Sequence, residues 1–225
     1  MKKTIINIIY VLPLLLVIEA FCQDKDIKSR TGISFENKIS KNLTLFSESE
    51  LRLNNNLLTI DKALIEAGID YKAYKFVKFS ASYRFSKINK YDYYERQHRF
   101  TGDIAFYKKI KTIKIYWRNR YQSSFNYFHV NDFDNLPEQV LRSKLKMNYK
   151  INYTPASVYF FTEIYYNSSP FFTLSLYKYH FSLGITYNIN KKTKINLYNI
   201  YEKEINTSPL ETSFIFGLNI CYKID

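Results

Sequence analysis

Apolar and polar residues alternate along most of this chain with a period of two, the spacing of a β-strand with one oily and one charged face. The stretch from Leu141 to Tyr166 shows it most fully. Its first arm sets Leu141, Ser143, Leu145, Met147 and Tyr149 against Arg142, Lys144, Lys146 and Asn148. Its second arm sets Val158, Phe160, Thr162, Ile164 and Tyr166 against Ser157, Tyr159, Phe161, Glu163 and Tyr165. A compact turn between Tyr149 and Ala156, with Pro155 where no ladder donor is needed, makes the two arms a hairpin.

The pattern predicts strands near 31–39, 43–53, 62–71, 77–85, 97–106, 113–121, 141–149, 157–166, 178–187, 194–201 and 212–222. No segment has a convincing helical period and no long linker divides the set, so a single all-β domain is expected. Tyr71-Lys72, Tyr107-Lys108, Tyr149-Lys150, Tyr187-Asn188 and Tyr222-Lys223 recur once per hairpin and mark one end of the sheet. Tight turns are expected at that end. The connections at the other end read as longer: 54–61, 86–96, 122–137, 167–176 and 202–211. Short turns on one rim and long loops on the other are the layout of an outer-membrane barrel. The expectation is an antiparallel up-and-down transmembrane β-barrel of about 10–12 strands, its short turns and C-terminus periplasmic. Single-chain bacterial barrels have even strand numbers, so twelve is expected. The lead-in or the 122–137 loop would then hide a strand, or the first candidate would lie outside the wall.

Alternation alone does not say which face looks inward. A barrel of about eight strands is already just filled by side chains. A larger one with an oily interior would enclose a void, at a cavity cost. The apolar face is therefore expected outside. Across seven of the strands from Ala63 to Tyr222 that face carries no Lys, Arg, Asp or Glu, and the Tyr at the strand ends resembles an interfacial girdle. The opposite face carries Glu66, Asp70, Lys78, Arg84, Arg99, Asp103, Lys114, Arg118, Arg120, Arg142, Lys144, Lys146, Glu163 and Lys178. Of these, Arg84, Arg99, Arg118, Arg120, Arg142 and Lys144 are the candidate lumen anion-binding residues, with Glu66, Asp103 and Glu163 as counter-charges. Two readings stay open: a lumen plugged by Arg–carboxylate networks, or a basic constriction favouring anions.

Tyr (22) and Phe (18) dominate a composition poor in Gly (5) and Trp (1), which suits strands. Met1-Lys-Lys, the apolar run 5–18 and Ala20-Phe21-Cys22 read as a secretory signal cleaved before Gln23. This gives a leader at 1–22, a lead-in at 23–30 and a barrel at 31–225. A lipidated Cys22 is disfavoured by Phe21, and loss of the leader leaves Cys221 alone. The formal charge of +13 becomes +12 without Lys2, Lys3 and Glu19, which points to anionic partners: lipid headgroups of the outer membrane or a small anionic solute. The basic residues are dispersed along strands and no nucleic-acid motif appears, so nucleic acid is excluded.

The segments Ser47–Arg52, Ala67–Tyr71, Ala81–Phe85, Glu95–Arg99, Tyr116–Gln122, Leu141-Arg142 and Phe181–Tyr187 together resemble domain of unknown function 2490, a family of predicted bacterial outer-membrane β-barrels. The resemblance covers most of the mature chain. It implies a barrel and brings no catalytic residues; separately, no cofactor or metal is expected. No P-loop, dinucleotide fingerprint, zinc spacing or nucleophile elbow is present. His129 beside Asp132 and Asp134 is a weak ligand or metal candidate in a loop expected to fold over the barrel mouth. His180 with Ser182, or His98 with nearby carboxylates, are the residues an outer-membrane hydrolase would use. The leading expectation is a non-enzymatic membrane barrel, structural or a small pore. Its rivals are that hydrolase and a secreted soluble barrel binding an apolar ligand.

Overall fold

The computed structural model describes residues 26–126, 137–168, 174–206 and 211–224. The proposed leader, Cys22 and the trio His129, Asp132 and Asp134 lie outside the described residues. The described strands are β1 (Asp26–Lys38), β2 (Leu43–Asn54), β3 (Thr59–Tyr74), β4 (Val77–Asn89), β5 (Tyr94–Ile110), β6 (Ile113–Asn126), β7 (Glu138–Lys150), β8 (Ala156–Ser168), β9 (Leu174–Asn188), β10 (Thr193–Glu204) and β11 (Thr212–Ile224). Each matches one segment of the alternation. Neighbours in sequence pair antiparallel, and β1 closes the barrel by pairing with β11 in parallel, Arg30 opposite Gly217. The expected twelfth strand is not among the described ones. An odd run of hairpin-linked strands leaves the first and last pointing the same way, so the seam must be parallel.

Two further expectations are corrected. The strands run past their predicted ends on the long-loop side, because both faces turn polar there and the alternation fades. The connections at 55–58 and 90–93 are consequently short, and the contrast between rims rests on the segments joining β6 to β7, β8 to β9 and β10 to β11. Asp26–Arg30, read as a lead-in, already belongs to β1, with Lys28 and Arg30 pointing inward. Tight connections close without glycine: Asn55, Asn56, Leu57, Tyr91, Lys111 and Tyr153 adopt positive φ, and no glycine does. Asn tolerates that region better than most residues.

The faces are disposed as the size argument requires. Phe160, Leu183 and Phe216 point outward and are 42%, 56% and 44% exposed. The Arg118 and Arg142 side chains, inside, are 13% and 15% exposed. An oily centre, which the soluble rival needs, would reverse this. Tyr71, Tyr149, Tyr187 and Tyr222 stand exposed at the short-turn rim. Tyr107, expected among them, is out of phase: it faces the lumen opposite Tyr116, and Phe106 takes its place outside, against Trp117.

The interior is not wholly charged. Tyr159, Phe161, Ile200 and Ile215 form a buried cluster with Tyr198 packed on it. Two rings lie where a neighbouring strand has a glycine. A Cβ on Gly184 would fall 2.3 Å from the Tyr159 ring, and one on Gly217 would fall 1.9 Å from the Tyr198 ring. Glycine there lets an aromatic lie flat on the next strand and fill the lumen wall. Gly217→Ala should therefore evict Tyr198 and cost about 1–3 kcal/mol, the usual penalty of overpacking. Urea unfolding of the refolded barrel measures it, and a second substitution, Tyr198→Ala, should remove the clash.

Candidate functional site

The inward residues of β6 and β7 meet in consecutive rungs: Lys114 with Asn148, Tyr116 with Lys146, Arg118 with Lys144, and Arg120 with Arg142. Two adjacent strands with cations at alternate positions thus build one basic ladder along the lumen wall. Like charges opposed across strands repel, so the flanking strands must hold them in place. From β5, Asp103 accepts from Arg120 Nε at 2.6 Å and Nη2 at 2.7 Å, and lies 3.9 Å from Arg118 Nη1. From β8, Glu163 accepts from Arg118 Nη2 at 2.7 Å, and lies 2.9 Å from Arg142 Nη2 and 3.9 Å from Lys144 Nζ. At 2% exposure Glu163 is among the most deeply buried groups of the described chain.

The remaining support is aromatic. Lys144 Nζ sits 3.5 Å above the Phe161 ring, Lys146 Nζ 3.6 Å above Tyr159, and the Arg142 guanidinium 4.4 Å above Tyr165. Lys114 Nζ stands 5.2 Å from the Tyr107 ring. Each such contact contributes about 0.5–2 kcal/mol, more where water is excluded. Strand β8 thus alternates rings and a carboxylate against the β7 cations. Rings hold a cation in place without neutralising it. Among the described residues Arg118, Arg120, Arg142 and Lys144 form ion pairs only with Asp103 and Glu163, and Lys114 and Lys146 form none, so the ladder's cations outnumber the carboxylates paired with them.

A second group continues the network around the barrel. The Tyr165 hydroxyl accepts from Arg142 Nη2 at 2.8 Å and lies 3.0 Å from His180 Nδ1. His180 Nε2 is 2.6 Å from Glu202 Oε2. Glu202 is also 3.7 Å from Arg30 and 3.8 Å from Lys178. Between β3 and β4, Arg84 pairs with Glu66, its Nε donating at 2.6 Å, and Lys78 donates to Asp70 at 2.7 Å. Arg99 donates to Ser124 Oγ at 2.9 Å and Gln97 Oε1 at 3.1 Å, and makes no ion pair among the described residues.

Of the candidates read from sequence, Arg118, Arg120, Arg142 and Lys144 therefore converge with Asp103 and Glu163, Arg84 pairs separately with Glu66, and Arg99 stands apart. Sequence reasoning left Lys114 and Lys146 out of the candidate set, although the alternation already placed them on the same face. It passed over the supporting rings Tyr159, Phe161 and Tyr165. It missed Lys28, Arg30 and Glu202, which only closure at the β1–β11 seam brings together. The hydrolase candidates fare differently. His180 and Ser182 share the inward face, but both ring nitrogens of His180 are engaged elsewhere and Ser182 Oγ is buried without a hydrogen-bond partner. His98 points outward, 2.6 Å from the Tyr83 hydroxyl and against the Phe85 ring, away from the lumen carboxylates. Cys221 is buried and free.

Residues 31–211 match the model of the family described as Protein of unknown function (DUF2490), and the chain belongs to that family. Comparison with curated proteins gave no match. Among solved structures the barrel is similar to the NanC porin in a rhombohedral crystal form. Identity is 10%, the match covers 78% of this chain and 86% of that one, and the TM-score is 0.50. At that identity the likeness shows a shared β-barrel fold.

Proposed function

We propose that this DUF2490 protein is a non-enzymatic outer-membrane barrel whose lumen is a small pore favouring anions, with its short turns and C-terminus in the periplasm. The observation that carries the reading is the basic ladder of β6 and β7, whose cations outnumber the carboxylates facing them. A lumen built only as a plug would be expected to balance its charges. Here rings hold Lys114 and Lys146, and neutral side chains hold Arg99, which supports a positive potential along the path. Charged rings lining a pore select the opposite ion. A small anionic solute is the corresponding partner.

Planar-bilayer recording across a KCl gradient tests this. Discrete steps with a reversal potential on the chloride side are expected. Lys114→Glu with Lys146→Glu should move that potential toward the potassium side, because two cations become two anions on one wall. A silent bilayer, or cation preference in the unsubstituted protein, would overturn the pore. One observation favours the plugged alternative: the buried cluster of Tyr159, Phe161, Ile200 and Ile215 stands inside the barrel. A silent bilayer is what that reading expects.

A further inference from the structure

We propose that the outer wall from β1 to β5 holds one phosphorylated glycolipid of the lipid A kind, its phosphate on Lys87 and Arg96 and an acyl chain in the depression beside them. The outward face of the barrel is almost free of charge across its middle, yet Lys87 and Arg96 both point outward, are both exposed, and are direct register partners on β4 and β5. Among the described residues Lys87 makes no ion pair. Next to this pair the wall sinks into a depression of ≈ 490 Å³, lined by Ile33, Leu51, Ala63, Ile65, Phe85 and Lys87. The small side chain of Ala63, opposite Lys87 on β3, opens the floor between larger neighbours.

The order along the wall is that of a lipid. Lys87 and Arg96 form a tier near the long-loop rim, with Tyr94 exposed one rung beyond. The next tier toward the membrane centre holds Phe85 and His98, and the one after holds Tyr83 and Phe100, with ring centroids 5.4 and 5.3 Å apart respectively. Arg presents a planar fork matched to phosphate oxygens and Lys adds a point charge, while the apolar depression takes hydrocarbon. The choice of a glycolipid over a glycerophospholipid rests on the orientation proposed above, which puts this rim in the outer leaflet.

The test is a titration by native mass spectrometry of the detergent-solubilised barrel with lipid A, with dephosphorylated lipid A and with phosphatidylglycerol. A single lipid A adduct is expected, and Lys87→Gln with Arg96→Gln should weaken it about tenfold or more, since each surface cation contributes roughly a factor of five toward anionic lipid. Lys108→Gln, at the other rim, should leave it unchanged. Equal binding by the double variant, by the dephosphorylated lipid or by phosphatidylglycerol overturns the proposal. Both Gln substitutions are at exposed wall positions, and an unchanged urea midpoint shows that the variant folds. Orientation is read independently by an impermeant thiol reagent on intact cells carrying Tyr91→Cys, at a position 84% exposed. Labelling is expected. Its absence would overturn the orientation, and with it the choice of lipid A, whatever the titration shows.

Discussion

Glu163→Gln should lower the unfolding free energy by about 3–5 kcal/mol, the cost of removing one partner from a buried ion cluster. The substitution keeps shape and removes charge. Arg118 and Arg142, 2.7 and 2.9 Å from Glu163, would lose their carboxylate. Lys144, 3.9 Å away, would keep only the Phe161 ring. Asp103 remains, but Arg120 already occupies both its oxygens. Urea titration of the barrel refolded into phospholipid vesicles reads the loss. Replacing Arg142 by Met in the same chain should restore part of it, because one stranded cation leaves with the anion. A loss below about 1 kcal/mol would mean that water screens the cluster as it screens surface pairs, and Glu163 would not be the buried anchor of the ladder.

Leu183→Arg should cost about 2–4 kcal/mol, the penalty for arginine on the lipid face near mid-bilayer. Leu183 is 56% exposed and lies between Phe160 and Asn199 in register. In water such a change at an exposed site would be near neutral. The expected size therefore comes from hydrocarbon and not from packing. Ile189→Arg, in the short turn after the same strand and 53% exposed, is the internal comparison. Near the interface the cost falls to about 0–1 kcal/mol. Equal effects at the two positions in vesicles would contradict a lipid-facing wall at Leu183.

The strand set and the direction of its faces were legible because period-two alternation is strong wherever one face is oily. Legibility failed where that contrast fades. Tyr94 to Arg96 is polar on both sides, so the pattern starts β5 too late. Asp26–Arg30 has no apolar partner face to announce a strand. Tyr107 shows that a repeat of residue type does not fix phase, since Phe106 occupies the outward position. Tyr159 is visible on the inward face, but its room depends on Gly184, which sits on the next strand. The same limit applies to the candidate site. Arg118, Arg120, Arg142, Lys144, Asp103 and Glu163 lie on neighbouring strands, and register brings them together. Glu202 meets Arg30 across β11, and that meeting exists only once the parallel seam closes.

Trp117 offers the most direct test that the oily face looks at lipid. It is the single tryptophan of the chain, points outward at 47% exposure, and donates its Nε1 hydrogen to Ser143 Oγ at 3.0 Å. In vesicles its fluorescence should be quenched strongly by lipids brominated on their acyl chains and hardly at all by aqueous iodide. Efficient iodide quenching with no effect of the brominated chains would place that wall in water and contradict the account.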